Sequence, residues 1–237
     1  TGARISYFDI DKDSRQIVDA GLAYDTIYDA NGDVATDIGF LANDLDGFSR
    51  FCSAQLIEAH QFGDGRGLED RIYFTGEEDG GNFNPVGGAV WALDPATGDL
   101  WQIPAFGRGA WESVTEVDTG STDYVGFILA DDSSPFNADN DSTTGDPGDP
   151  ANSDDDGNEA APLYLYVGEK DADGDFLAQN GLRGGALYVW VSNTGETLPS
   201  QFNGLGGTPT SLGGAWVEVD NSPSGAPSEN VSTGFDE

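Results

Sequence analysis

The sequence predicts an all-β chain, β-propeller-like in architecture, with a β-sandwich as the alternative. Three observations predict it. From Arg71 onward, short strand candidates alternate with turn residues, notably at 111–117, 124–130, 163–168 and 215–219. A tryptophan-bearing strand, residues 88–93, turns through Asp94-Pro95-Ala96-Thr97-Gly98 into Leu100-Trp101-Gln102-Ile103. Proline early in the turn and glycine at its end suit a hairpin. A related pattern recurs at residues 186–192, followed by Asn193-Thr194-Gly195 and Glu196-Thr197-Leu198. Repeated antiparallel hairpins of this kind are how propeller blades are built.

The elements follow in order. Residues 1–47 mix short strands, such as Ile5-Ser6-Tyr7-Phe8, with acid-rich turns. Asp9, Asp11 and Asp13 alternate in the first turn; Asp29, Asn31 and Asp33, with Asp37 beyond, alternate in the second. A tight loop that turns alternate oxygens inward coordinates calcium, and a solvated acidic turn is the plain alternative. The first loop has Ser14 where an EF-hand needs glycine, and it lacks the closing glutamate. The shorter calcium loop of a β-hairpin fits better. A third turn of this type holds Asp171, Asp173 and Asp175.

Residues 50–62 read either as a short helix or as an irregular strand. His60, the only histidine, reads as structural. Residues 63–70 form a glycine- and acid-rich loop. The run 132–161 is low in complexity and nearly free of apolar residues, so it cannot fold on its own burial. One propeller-like domain is expected over 1–221, carrying that acidic insert, with 222–237 a flexible tail or linker.

Composition narrows the function classes. The 237 residues carry 43 acids against nine basic residues, a net charge of −34, while aromatics make up 11%. A core can be buried, but the surface repels nucleic acid and anionic membranes. Such a chain needs high salt or bound cations to fold compactly. No stretch is apolar enough for a membrane span. One cysteine, Cys52, excludes an internal disulfide and is either a small buried residue or a ligand. The chain starts at Thr1 and holds no methionine, so the expectation is a processed or partial chain. Calcium loops favour a secreted setting, extracellular or periplasmic.

Several motifs occur in a fixed order: Arg50-Phe51-Cys52-Ser53; a strand ending Thr75-Gly76-Glu77-Glu78; Gly107-Arg108-Gly109-Ala110-Trp111-Glu112; a strand ending Ala130-Asp131-Asp132; residues 163–168; and Gly181-Leu182 with Gly185-Ala186-Leu187-Tyr188. In this set the chain resembles secreted alkaline phosphatases of the PhoX type, in their divergent PhoX-like branch, over residues 50–191. The resemblance implies a β-propeller whose central iron and calcium ions, Fe3+ and Ca2+, serve the hydrolysis of small phosphate monoesters. Cys52 would correspond to the iron-binding cysteine. Glu77 or Glu78, Glu112, and the pair Asp131 and Asp132 would hold metal, and Arg108 would clamp phosphate, with Glu112 also in the catalytic set. Members of the family are much longer, so a missing C-terminal half or a partner chain would complete the ligand ring.

The residues support the mixture independently. Thiolate selects a softer or more Lewis-acidic metal than calcium, whereas carboxylates suit calcium. Cations would also offset repulsion among grouped acids. Adjacent side chains on a strand point to opposite faces, so one member of each acid pair is expected to face a given site. The competing class is a non-enzymatic extracellular structural, filament or adhesion protein stiffened by calcium. A generic halophilic β-protein explains the charge alone.

Overall fold

The structure, a computed structural model, describes residues 2–35, 47–48, 50–78, 87–131, 163–194 and 213–219. Asp37, Asp132, the acidic insert and the tail lie outside these residues. The described chain is all-β, in three sheets of which none is closed. Strands β1 (Ser6–Ile10) and β2 (Ile17–Leu22) form an antiparallel pair. Strands β3 (Thr26–Tyr28), β4 (Gln55–Ile57), β5 (Ile72–Gly76), β6 (Val90–Asp94) and β7 (Asp99–Ile103) form a sheet in the order β3-β7-β6-β5-β4. Strands β8 (Trp111–Val117), β9 (Tyr124–Asp131), β10 (Leu163–Glu169), β11 (Gly185–Ser192) and β12 (Gly214–Val219) form the other, each pairing with the next.

The β6–β7 hairpin follows from its turn chemistry. Asp94 accepts from the Ala96 amide (2.8 Å) and the Thr97 hydroxyl (2.9 Å), and Gly98 takes φ +81° to close the turn. The return strand expected at Glu196-Thr197-Leu198 lies outside the described residues. Strand β11 takes β12 as its neighbour, and Asn193 N–H donates to Gly213 C=O (3.0 Å). Within residues 50–62, the irregular-strand alternative is the one formed: β4 is three residues long and lies along β5.

The first large sheet is covered on both faces. Val90, Ala92, Trp101 and Ile103 point into a core shared with Trp111, Val114, Phe127, Leu129, Tyr164 and Tyr166 of the second sheet. Trp91, Leu93 and Leu100 point the other way, into a smaller core with Ile5, Tyr24 and Phe48. This explains why β6 reads as an unbroken apolar run. Strand β3 joins the sheet parallel to β7, and the Tyr28 ring stacks on Trp101 at 3.6 Å.

The β1–β2 pair, like the edge strand β12, is largely exposed. Ser6 with Leu22, Phe8 with Ala20, and Ile10 with Ile17 stand opposite one another, giving one largely apolar face. Phe8 and Ile17 are 62% and 60% exposed. Among the described residues no helix is long and apolar enough to cross a membrane.

Candidate functional site

Four of the ordered motifs converge where the two large sheets meet. Glu78 N–H donates to Arg50 C=O (2.9 Å), Cys52 N–H to Gly76 C=O (3.3 Å), and Trp111 N–H to Glu77 C=O (3.1 Å). These bonds stitch residues 50–53, 76–78 and 107–112 into one patch. Trp111 stands opposite Asp131 in the β8–β9 pairing, so the strand ending in the second acid pair arrives at the same place. Glycines allow the close approach. A Cβ on Gly76 would collide with the Trp111 carbonyl, and one on Gly88 with the Glu77 carbonyl.

The patch has an inner and an outer layer. Glu77 is buried, and one carboxylate oxygen accepts from Trp91 Nε1–H (2.9 Å) and Ala89 N–H (3.1 Å). Asp131 is buried beside Tyr164, whose hydroxyl is pushed up by burial and then by the Asp131 charge. Glu78 lies on the outer side and pairs with the Arg50 guanidinium. Glu112 is exposed because a bulge between Trp111 and Ser113 turns Trp111 inward and Glu112 outward. The expectation that each acid pair would split across a strand holds for Glu77 and Glu78; Asp132 lies outside the described residues.

Cys52 is exposed, and its thiol is pushed up to about 11 by desolvation, then by Glu78, with Glu112 adding to the effect and Arg50 opposing it. At neutral pH it is therefore a thiol. A thiolate here would need a cation beside it. Arg108 is flanked by Gln102, whose amide oxygen accepts from Nη1 (3.0 Å) once it is turned toward the guanidinium. Burial lowers the Arg108 pKa, and the Glu77 charge opposes that. Arg108 therefore sits inside the junction, next to a carboxylate.

Cys52, Glu78 and Glu112 are near enough for their charges to interact. Yet among the described residues no three His, Cys, Asp or Glu side chains group as metal ligands. As arranged, the described residues of the patch do not by themselves complete an iron or calcium site.

In the acidic turns, carboxylates accept from nearby backbone amides. Asp29 Oδ1 accepts from the Asn31 and Asp33 amides (both 2.9 Å), Asp11 from the Ser14 amide (2.6 Å), and Asp171 from the Asp173 amide (3.0 Å). Asp9 lies within β1 opposite Asp19. Asp13 sits exposed in the turn that follows. Asp175 caps the short helix α1 (Phe176–Gln179), accepting from Ala178 N–H (2.9 Å). Its carboxylate also binds Arg183, whose Nη1 donates to Ala30 C=O (3.1 Å). Two of the three turns read as calcium loops are thus neighbours in space, joined by a guanidinium. Sequence reasoning missed Arg183, since nothing in the local pattern links residues 30 and 183.

A second polar cluster was also missed. It joins Gln61, Arg66 and Glu69 to Glu116, Asp118, Lys170 and Asn180. The available signal was Glu116 itself, in line with Val114 on the inward side of β8.

No protein-family model matches this chain, and neither a curated protein nor a solved structure matches it.

Proposed function

We propose that the chain is a phosphatase-like β-protein of the PhoX type, acting on small phosphate monoesters outside the cytoplasm, with its reactive centre at the junction of the two large sheets. The blade-like meander of each large sheet is compatible with a propeller. One observation carries the reading: motif segments far apart in sequence, at 50–53, 76–78, 107–112 and 131, meet in one patch. The thiol and carboxylates on its outer layer would supply part of an iron and calcium site, with ligands beyond the described residues completing it, and Arg108 is the cation that would meet a phosphate. The test is metal analysis of the purified chain, together with release of phosphate from a chromogenic aryl phosphate. Bound iron, with turnover lost in Cys52→Ser and Glu112→Gln, is the expected result. Calcium-loaded protein with neither iron nor turnover would overturn it.

A second reading, a non-enzymatic extracellular structural protein, is favoured by the Arg183 clamp and by the apolar face of the β1–β2 pair. In it the acidic turns are braces and the chain is built for assembly. Multimers on sizing with light scattering, dispersed by Phe8→Lys, would support it.

A further inference from the structure

Between β4 and β5 the chain makes an excursion, residues 58–71, that leaves its own sheet and fastens onto the other. The excursion is conformationally costly. His60 and Asp64 adopt φ +49° and +53°, and Gly63, Gly65 and Gly67 are also left-handed. Each such non-glycine residue costs on the order of 1 kcal/mol or more and persists only when its surroundings hold it.

Four attachments hold it, and all reach the second sheet or its connections. Gln61 Nε2–H donates to Glu116 Oε2 (2.6 Å). Arg66 pairs with Asp118. Lys170, its side chain largely buried, donates to Glu69 Oε1 (2.7 Å) and Gly65 C=O (3.4 Å). Asn180 Oδ1 accepts from the Glu69 and Asp70 amides (2.9 and 3.0 Å). His60 Nε2 lies 2.9 Å from Glu69 Oε2, so the loop is also braced internally.

Among these partners Glu116 stands out. It is only 6% exposed; Gln61 bonds Oε2, the Leu68 backbone amide lies close by, and no hydrogen bond of good geometry reaches Oε1. The backbone of Gly67 lies directly over it: a Cβ there would sit 3.2 Å from Oε1. Lys170, whose charge reaches Glu116, donates its hydrogen bonds to Glu69 and Gly65 instead. The groups facing this carboxylate are the Gln61 and Leu68 amides and the charges of Lys170 and Asp118. Arg66 acts through Asp118, while Glu69 and His60 act through Lys170. An ionised Glu116 is thus poorly compensated. A proton on Oε1 would remove the buried charge and leave the Gln61 bond to Oε2 intact.

We propose that residues 58–71 are a proton-gated strap between the two large sheets, closed while Glu116 is protonated and Glu69 is ionised, and loosened when Glu116 gives up its proton. Two opposite shifts agree with this. Burial pushes the Glu116 carboxyl above the usual carboxylate range, with Gln61, Leu68 and Lys170 only partly offsetting it. The Lys170 hydrogen bond, helped by His60, holds Glu69 below that range. A raised acid stabilises the closed strap below its open-state pKa, and that contribution is lost as pH rises through the closed-state pKa. A lowered acid contributes above its open-state pKa and is lost as pH falls through the closed-state value. The strap is therefore tightest in the window between the two titrations.

The test is hydrogen exchange of the full chain across pH, read at Leu68, Glu69 and Asp70 and corrected for intrinsic rates. Protection should peak in mildly acidic solution and fall toward neutral pH, by about tenfold for each unit by which Glu116 is raised. Glu116→Gln should abolish the fall on the alkaline side, while Glu69→Gln should abolish the fall on the acid side. Protection in β5 and β9 reports whether either variant has lost its fold. Carboxyl NMR titration of Glu116 in the unmutated chain provides a reading that needs no variant. A midpoint within the ordinary carboxylate range, or an alkaline fall that survives in Glu116→Gln, would overturn the proposal.

Discussion

Two buried glutamates, Glu77 and Glu116, show how one residue type can be put to opposite uses. Both are nearly inaccessible, at 4% and 6% exposure. Glu77 receives an indole N–H and a backbone N–H on one oxygen, and a guanidinium lies within electrostatic reach. Glu116 receives one side-chain amide on Oε2, has the Leu68 backbone amide close by, and has no hydrogen bond of good geometry to Oε1. Burial alone does not decide what an acid does. The donors supplied to it do, because a well-served carboxylate braces its surroundings and a poorly served one holds its proton.

The comparison can be broken most forcefully at Glu77. Glu77→Ala removes the acceptor of the Trp91 and Ala89 N–H groups, and the fold should lose about 2–4 kcal/mol in denaturant unfolding. A loss no larger than that of an exposed substitution would mean that Glu77 is not a brace. The clamp between the acidic turns is expected to matter less. Arg183→Met should cost about 1–2 kcal/mol, since the pair is partly exposed and one charge-assisted bond to Ala30 is lost with it. It should also leave Asp175 and the 29–33 turn open to calcium, so added calcium should raise the melting temperature of the variant more than that of the parent. Equal calcium responses would mean that the guanidinium does not stand in for an ion. The smallest effect belongs to the outer layer: Cys52→Ser should shift stability by less than about 0.5 kcal/mol, the usual range for an exposed site. A larger loss would move Cys52 from the reactive layer to the structural one.

Much of the fold was legible in the sequence, and the reason is local. Strands β8, β9 and β10 begin and end within a residue or so of their expected limits, because strand-forming runs bounded by turn residues mark them directly. The β6–β7 turn announced itself through Asp94, Thr97 and Gly98. What was not legible is what only long-range pairing decides. The bulge at Trp111 and Ser113 sets which way Glu112 faces, and no alternation rule anticipates it. The parallel seat of β3 on β7 and the pairing of β11 with β12 depend on partners distant in sequence. The candidate site was legible as a list of motifs, and they do meet. The roles within it were not, because Glu77 and Asp131 went inside while Glu78 and Glu112 stayed out. Arg183 and Glu116 carry no motif, and only their neighbours in space give them meaning.

The parallel seat of β3 also constrains how the molecule comes into being. A ribosome releases Thr26, Ile27 and Tyr28 long before it has made Asp99, Leu100 and Trp101, so the early segment must wait for its berth while β5, β6 and β7 assemble as a local meander. Holding Tyr28 apart from Trp101 should delay completion of the domain more than it weakens the finished one.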